Sequence, residues 1–271
     1  MSMENGHFYR KDGTPCHTQP TKAGAKNATR PTNISDAKKL GLLPSVSGIT
    51  KMLSSPALEK HKMKEVAKQC FLSPAHPGED MDAYISAMVE KASEDAGNAA
   101  DLGTKIHAAI EGLLTQGGYT DEDVTLKDGT VVPLSTLVQP AVTAWNETGL
   151  EPIGAEMVLV NLQEGYAGTT DLIFQAPTHL GVWDWKSRRT KPGKSVDPIE
   201  THPMQISAYV AAHWGAIPTN AVGYNCYIST TEPGRVDVVR YDYDTLKAAW
   251  ADFRSLCHLW RSRNGYDPRT T

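Results

Sequence analysis

Three successive β-rich runs near the middle of the chain constrain its fold more than any other feature. They lie at residues 156–162, 166–174 and 180–185. Helices with apolar residues at 3.6-residue spacing precede these runs, and a helix, two further strands and a final helix follow them. This order predicts an α/β (α+β) fold in which helices flank a mixed central β-sheet, with an N-terminal helical subdomain before it.

Composition and charge narrow the classes of function. The 271 residues are 40% apolar and 21% charged, which is typical of globular proteins. The net charge of −4 gives no overall nucleic-acid signature, so phosphate binding would require local basic patches. No apolar run could span a bilayer and the N-terminal residues lack a signal-peptide core, so we expect a cytoplasmic protein without membrane contacts.

The four cysteines are widely separated along the chain. They are Cys16, Cys70, Cys226 and Cys257. Because no Cys-x-x-Cys pair occurs, the sequence argues against a zinc or iron–sulfur site built from close pairs. Free thiols in a reducing compartment are the simpler interpretation.

Two carboxylates and an amine lie in the β-rich region in a pattern that suits a divalent cation. Asp171 lies in the second run, Asp184 lies near the end of the third, and Lys186 directly follows the third. Strand side chains alternate between faces, so Asp184 and Lys186 point the same way, and an antiparallel return could bring Asp171 beside them. Such a group suits a cation that activates water against a phosphodiester. The Asp-Trp-Lys triplet alone is weak evidence for a cation site, because a charged strand end is usually a solvated edge.

Three further features strengthen this interpretation. His107 lies beside the apolar stripe of a helix, one turn after Gly103, and its imidazole suits Mn²⁺ better than Mg²⁺. The small residues around Gly168 leave space before Asp171. Gln205 and Tyr209 are four residues apart and therefore lie on one face of a helix. The simpler alternatives are a packed or surface histidine, a bulged hairpin and a helix-surface pair.

In this order the motifs resemble the RecB-like branch of the PD-(D/E)XK nuclease superfamily, which includes phage exonucleases and mitochondrial genome maintenance exonucleases. The motifs are Gly103-Thr104 with His107, Gly168-Thr169 with Asp171, Asp184-Trp185-Lys186, and Gln205 with Tyr209. The resemblance covers residues 100–230. It implies a restriction-endonuclease-like nuclease core at 99–271, which would follow a polar N-terminal arm at 1–43 and a helical subdomain at 44–98.

The resemblance also implies a role for each matching residue. The ligands of one or two Mg²⁺ or Mn²⁺ ions would be His107, Asp171, Asp184 and the carbonyl of Trp185. The catalytic residues would be Asp171, Asp184, Lys186, Gln205 and Tyr209. Lys186 would orient or activate the attacking water, and Gln205 and Tyr209 would have positioning roles. Glu156 lies where some relatives place an acid, but its role and that of Glu111 stay open. Some relatives hold an iron–sulfur cluster through closely spaced cysteines, which this chain lacks, so no cluster is expected.

A basic segment directly follows the third strand. It contains Arg188, Arg189, Lys191 and Lys194. A solvated loop is the usual meaning of such a run, but its attachment to the proposed site also suits a phosphate track. We expect substrate contacts from Arg188, Arg189, Lys191 and Gln205. A second basic group at Lys60, Lys62 and Lys64 is more typical of a solvated helix face.

Residues and resemblance together predict a metal-dependent deoxyribonuclease. We expect an exonuclease that acts on DNA ends or single strands in phage or bacterial DNA processing, with phage or host recombination and replication proteins as candidate partners. The alternatives are a structure-specific DNA endonuclease, an RNA-directed nuclease and a non-catalytic DNA-end-binding module. The presence of Asp171, Asp184 and Lys186 together argues against the last. The preference for an exonuclease rests on the resemblance.

Overall fold

A central mixed β-sheet organises the molecule, as seen in a computed structural model that describes residues 6–21, 28–53 and 56–270. The strands are β1 Phe8–Tyr9, β2 Thr18–Pro20, β3 Thr29–Pro31, β4 Leu43–Pro44, β5 Asp123–Thr125, β6 Val131–Pro133, β7 Glu151–Asn161, β8 Tyr166–Gln175, β9 Leu180–Arg188, β10 Ala221–Ser229 and β11 Val236–Tyr241. The helices are α1 Ile34–Leu40, α2 Val46–Thr50, α3 Pro56–Leu72, α4 Met81–Thr115, α5 Ser135–Asn146, α6 Thr201–Trp214 and α7 Tyr243–Asn264.

The central sheet has the strand order β11-β10-β9-β8-β7. Neighbouring strands are antiparallel except for β9 and β10, which are parallel and are joined through α6. A parallel pair needs a crossover connection, and α6 supplies it. The predicted mixed sheet flanked by helices is therefore confirmed, and all five of its strands lie where the sequence predicted strands.

Helices cover both faces of the sheet, which explains the nearly continuous burial of β9. Val182 points to the face that packs against α6 and α7, whereas Trp183 and Trp185 point to the opposite face, with α4 and α5. The two tryptophans are 0% and 2% exposed. Both rings are therefore packed inside the molecule, and neither lies open for base stacking.

Close backbone contact joins the two parallel strands. A side-chain carbon at Gly181 of β9 would lie 1.7 Å from the carbonyl oxygen of Val222 on β10. No other amino acid fits there without separating the strands. This glycine therefore helps to fix β10 against β9 and keeps the two strands in the register that the site requires.

The N-terminal segment packs on the core. Residues 1–43 were predicted to form a polar arm, but β1 pairs with β4, and Ser45 continues this contact to Ala167 of β8. Phe8 and Tyr9 are buried. Sparse apolar residues gave no periodic signal here, because their burial depends on pairing with a distant strand. Residues 1–5 and 22–27 of the predicted arm lie outside the described residues.

One continuous helix, α4, crosses the predicted boundary between residues 98 and 99. The sequence suggested a polar break at 94–98, yet Gly97 and Asn98 lie within the helix and are exposed. A helix tolerates polar residues where it meets solvent, so polarity alone did not mark an end. Among the described residues, no helix is both long and apolar enough to cross a membrane.

Candidate metal centre

The candidate site lies where β8 and β9 part. Their antiparallel pairing runs from Gln175–Leu180 to Leu172–Trp183 and then ends. Asp171 and Asp184 are the first residues beyond the last pair. Beyond this last pair, the backbone N–H of Trp185 donates a hydrogen bond to the side chain of Asp171, at Oδ2, over 2.7 Å. The two carboxylates predicted to share a site therefore lie together at this opening.

Three side chains at the opening form a group that could hold a cation. His107 of α4, Glu156 of β7 and Asp171 of β8 each offer a ligand atom, and these atoms lie within 4.8 Å of one another. His107 Nδ1 is 3.5 Å from Asp171 Oδ1. Carboxylate oxygens suit Mg²⁺ and Mn²⁺, and the imidazole favours Mn²⁺. The donor set therefore fits the expected metal.

Glu156, whose role the sequence left open, joins this group through an unusual backbone conformation. Its φ is 49°, the one positive value at a non-glycine residue in the described part of the chain. It lies opposite Asp171, between the pairs Ala155–Leu172 and Met157–Thr170. Strained residues of this kind are concentrated at functional sites. Burial, then the charges of Asp171 and Glu111, raises the pKa of Glu156 to about 7.

Asp184 is held by two donors rather than by the three-residue group. It is 1% exposed. Its Oδ1 accepts from Lys186 Nζ at 2.7 Å, and its Oδ2 accepts from Asn225 Nδ2 at 2.7 Å. Burial raises the pKa of Asp184 to about 6, although Lys186 opposes this shift. The structure therefore brings Asp184 and Lys186 together, as alternation along a strand predicted.

Neighbouring charges at the site stabilise the ionised forms of Asp171, His107 and Lys186. Burial opposes the charged form of Asp171, but the hydrogen bond and charge of His107 outweigh it and lower the pKa of Asp171. Burial likewise opposes the charged form of His107, yet Asp171 raises its pKa. The pKa of Lys186 is also raised, because the charges of Asp184 and Asp171 outweigh burial. Lys186 is therefore an ammonium ion in this arrangement.

Gln205 and Tyr209 belong to α6 and lie beside the carboxylates of Asp171 and Asp184. Gln205 Nε2 donates to the Tyr209 hydroxyl at 3.3 Å. Burial, together with the charges of Asp184 and Asp171, raises the pKa of Tyr209. The space at Gly168 is taken by this ring, since a side-chain carbon there would lie 3.0 Å from Tyr209 Cε1. The space that Gly168 was expected to leave before Asp171 is therefore filled by the side chain of Tyr209.

The glycine at 103 makes a similar close contact. A side-chain carbon at Gly103 would lie 3.1 Å from Ser187 Oγ. The absence of a side chain thus lets α4 approach β9, which places His107 one turn further along beside Asp171. The neighbour that approaches Gly103 is therefore a side chain rather than a backbone.

The basic segment lies next to the site, with different degrees of exposure. Arg188 is partly buried: it donates to the carbonyl of Asp197 at 2.5 Å, and its guanidinium lies 5.6 Å from the ring centre of Tyr227. Arg189 and Lys191 are exposed, as is Lys194. A cleft of about 670 Å³ is lined by Ser187 and Arg188, which directly follow Lys186 on β9, and its other basic lining residues are Lys105, Lys127 and Arg189.

The sequence reasoning missed four polar residues around the site. They are His202, Asn225, Tyr227 and Tyr241. Tyr227 lies opposite Lys186 on β10, and its hydroxyl is 2.7 Å from His202 Nδ1. Burial, then the charges of Lys186 and Arg188, lowers the pKa of His202 to about 3, so its imidazole is neutral. The one signal in the sequence that could have pointed to these residues was a polar asparagine, Asn225, within the otherwise apolar run of β10.

Comparisons with known proteins assign no family to this chain. No family model matches it. No curated protein matches it either. Among solved structures, the crystal structure of SSO0001 is similar over 75% of this chain and 88% of its own, with 16% identity and a TM-score of 0.28. A similarity this low carries no conclusion about function.

Proposed function

We propose that this protein is a metal-dependent nuclease that hydrolyses phosphodiester bonds in DNA. The observation that carries the proposal is the meeting of two groups where β8 and β9 part. One group is His107, Glu156 and Asp171, which could hold a cation. The other is the buried ion pair of Asp184 and Lys186. Cation ligands beside a buried ammonium suit an anionic phosphate substrate.

The residues of the site would have separate roles in such a reaction. His107, Glu156 and Asp171 would hold Mg²⁺ or Mn²⁺, with Asp184 and the carbonyl of Trp185 as the further ligands that the family resemblance implies. When bound, the cation would lower the pKa of a water and neutralise phosphate charge. Lys186, as an ammonium, would donate hydrogen bonds to the phosphate or orient the water rather than remove a proton. Gln205 would be positioned by its bond to Tyr209.

Substrate would reach this site along the basic surface beside it. Arg188 and Arg189 line the neighbouring cleft. Arg235 fixes the next part of the segment by donating to the carbonyls of Lys191 and Lys194, at 3.0 and 2.5 Å. A fixed loop that carries exposed cations suits a phosphate backbone. Action on DNA ends or single strands, and hence exonuclease activity, is proposed on the family resemblance.

The test is cleavage of end-labelled linear DNA and of closed circular DNA with Mg²⁺, with Mn²⁺ or with a chelator. We expect the wild-type protein to need the metal, and Asp171→Asn and Lys186→Met each to lose about 100-fold or more in rate. Exposed Asp252→Asn and Lys247→Met are matched controls that should retain activity.

The form of the products separates the alternatives. Progressive shortening from an end supports the exonuclease, whereas cutting of closed circles supports a structure-specific endonuclease. Metal-independent binding of DNA ends without any cleavage would instead support a non-catalytic DNA-end-binding module. Equal cleavage by the wild-type protein and both site variants would refute the assignment.

A further inference from the structure

A chain of buried hydrogen bonds runs from Asp184 across the two neighbouring strands, through Asn225 of β10 to Tyr241 of β11. Asp184 Oδ2 accepts from Asn225 Nδ2 at 2.7 Å, and Asn225 Oδ1 accepts from the Tyr241 hydroxyl at 2.9 Å. Asp184 and Asn225 are 1% and 0% exposed, and Tyr241 is 6% exposed. Asn225 and Tyr241 lie on β10 and β11, whereas His107, Glu156 and Asp171 lie on α4, β7 and β8.

Strand register builds this chain. Asn225 lies directly opposite Asp184 in the parallel pairing of β9 and β10. Asn225 also lies opposite Val239 on β11, and Tyr241 is two residues further along that strand and therefore on the same face. Three neighbouring strands thus each contribute one residue to this polar row, next to the row in which Tyr227 lies opposite Lys186.

The chemistry of the groups fixes the direction of the bonds. A charged carboxylate can only accept, so the amide nitrogen of Asn225 must face Asp184. The amide oxygen then faces Tyr241, whose hydroxyl must donate. With its amide held at both ends, Asn225 cannot turn away from Asp184 without leaving a buried polar group unpaired.

We propose that Asn225, held by Tyr241, is a positioning residue that fixes the carboxylate of Asp184 for the cation. This inference rests on the proposed function, because it takes the opening between β8 and β9 to be a metal site. Asn225 bonds Oδ2 while Lys186 bonds Oδ1, so the two donors together fix both oxygens of this carboxylate. Partners of this kind orient metal ligands, and their loss typically weakens metal affinity 10- to 100-fold.

The experiment measures Mn²⁺ affinity by calorimetry, alongside thermal unfolding and cleavage. Tyr241→Phe removes one hydroxyl, and Asn225→Leu replaces the amide with a side chain of similar size. We expect Asn225→Leu to weaken Mn²⁺ binding about 10-fold. Tyr241→Phe should weaken it by a smaller factor, because Asn225 keeps its bond to Asp184.

The matched control is Tyr166→Phe. This tyrosine is 0% exposed, and its hydroxyl donates to the carbonyl of Ala208 at 2.7 Å, away from Asp184. It should lose thermal stability without any change in Mn²⁺ affinity. A merely structural role for Tyr241 would give the same pattern as this control.

The outcomes distinguish this inference from the proposed function. If Asn225→Leu does not fold, Tyr241→Phe alone decides. Unchanged Mn²⁺ affinity in the folded variants, or no Mn²⁺ binding by the wild-type protein, would overturn the positioning role. Mn²⁺ binding by the wild-type protein that is weakened in the variants, but without DNA cleavage, would support the positioning role and overturn only the nuclease.

Discussion

At the residue scale, Glu156 combines a strained backbone with a carboxylate that faces two other acids. A left-handed conformation costs a non-glycine residue roughly 1–2 kcal/mol relative to its ordinary conformations. Here the residue has a φ of 49° and carries a pKa of about 7. Burial, then the charges of Asp171 and Glu111, raises this pKa, and a bound cation would offset the repulsion among the three acids.

Two substitutions at this position separate strain from chemistry. Glu156→Gly should be more stable than Glu156→Ala by about 1 kcal/mol, because glycine adopts positive φ without steric cost. Both variants should bind Mn²⁺ at least about 10-fold more weakly than the wild-type protein, since both lack the carboxylate. Thermal unfolding and calorimetric titration measure the two effects. Equal stability of the two variants would contradict the strain, and wild-type Mn²⁺ affinity would contradict the ligand role.

At the element scale, α1 shows how a short helix is held by its first turn. The side chain of Asn33 accepts from the backbone of Ser35 and Asp36, while Asp36 accepts from the backbone N–H of Asn33. Arg30 binds both oxygens of Asp36, at 2.6 and 2.9 Å. The hydrogen bond from Arg30 is the main reason that the pKa of Asp36 is lowered to about 2.

The lowered pKa sets the pH dependence of this contact. A carboxylate whose pKa is lower in the folded state contributes stability above its ordinary pKa of 3.8, and this contribution is lost as the pH falls through about 2. Asp36→Asn should therefore reduce the free energy of unfolding by about 1 kcal/mol at pH 7, and the loss should shrink toward pH 2. Urea unfolding at several pH values tests this; a pH-independent difference would count against it.

The contact between α4 and β9 can be tested at Gly103. Gly103→Val should press on Ser187, destabilise the fold by about 1–3 kcal/mol and weaken Mn²⁺ binding, because His107 lies one turn along the same helix. Gly97→Val is the matched control, since nothing lies within 4 Å of its added carbon. That control should be neutral or slightly stabilising, because valine has the higher helix propensity. Equal behaviour of the two variants would show that the close approach at Gly103 has no consequence.

At the scale of the whole molecule, an acidic protein has four basic residues in one cleft. The net charge is −4, yet the cleft next to the site is lined by Lys105, Lys127, Arg188 and Arg189. Two acids, Asp101 and Asp123, also line the cleft, so its charge is only moderately positive. Binding through phosphate contacts should therefore be weak and strongly dependent on salt.

The salt dependence of DNA binding tests this surface. Arg188→Ala combined with Arg189→Ala should weaken binding and reduce the slope of log K against log salt by about 1–2, which corresponds to one or two lost phosphate contacts. Arg240→Ala with Arg263→Ala removes the same charge from two exposed residues outside the cleft and should leave the slope unchanged. Identical slopes in the two double variants would exclude the cleft as the phosphate track.

The amino-acid sequence by itself determined where the sheet strands lie along the chain and which neighbouring residues share a face at the site. Alternation along β9 was enough to place Asp184 and Lys186 on one face and the two tryptophans on the other, because that periodicity is a local property of any strand. Helical spacing likewise grouped Gln205 with Tyr209.

Tertiary structure alone decided which distant residues complete the site. Glu156 faces Asp171 through the register of β7 against β8, and Asn225 reaches Asp184 through the register of β10 against β9. The N-terminal segment packs against β8 for the same kind of reason. Register between strands far apart in sequence depends on the packing of the whole sheet, whereas the periodicity that the sequence displays is set by neighbouring residues.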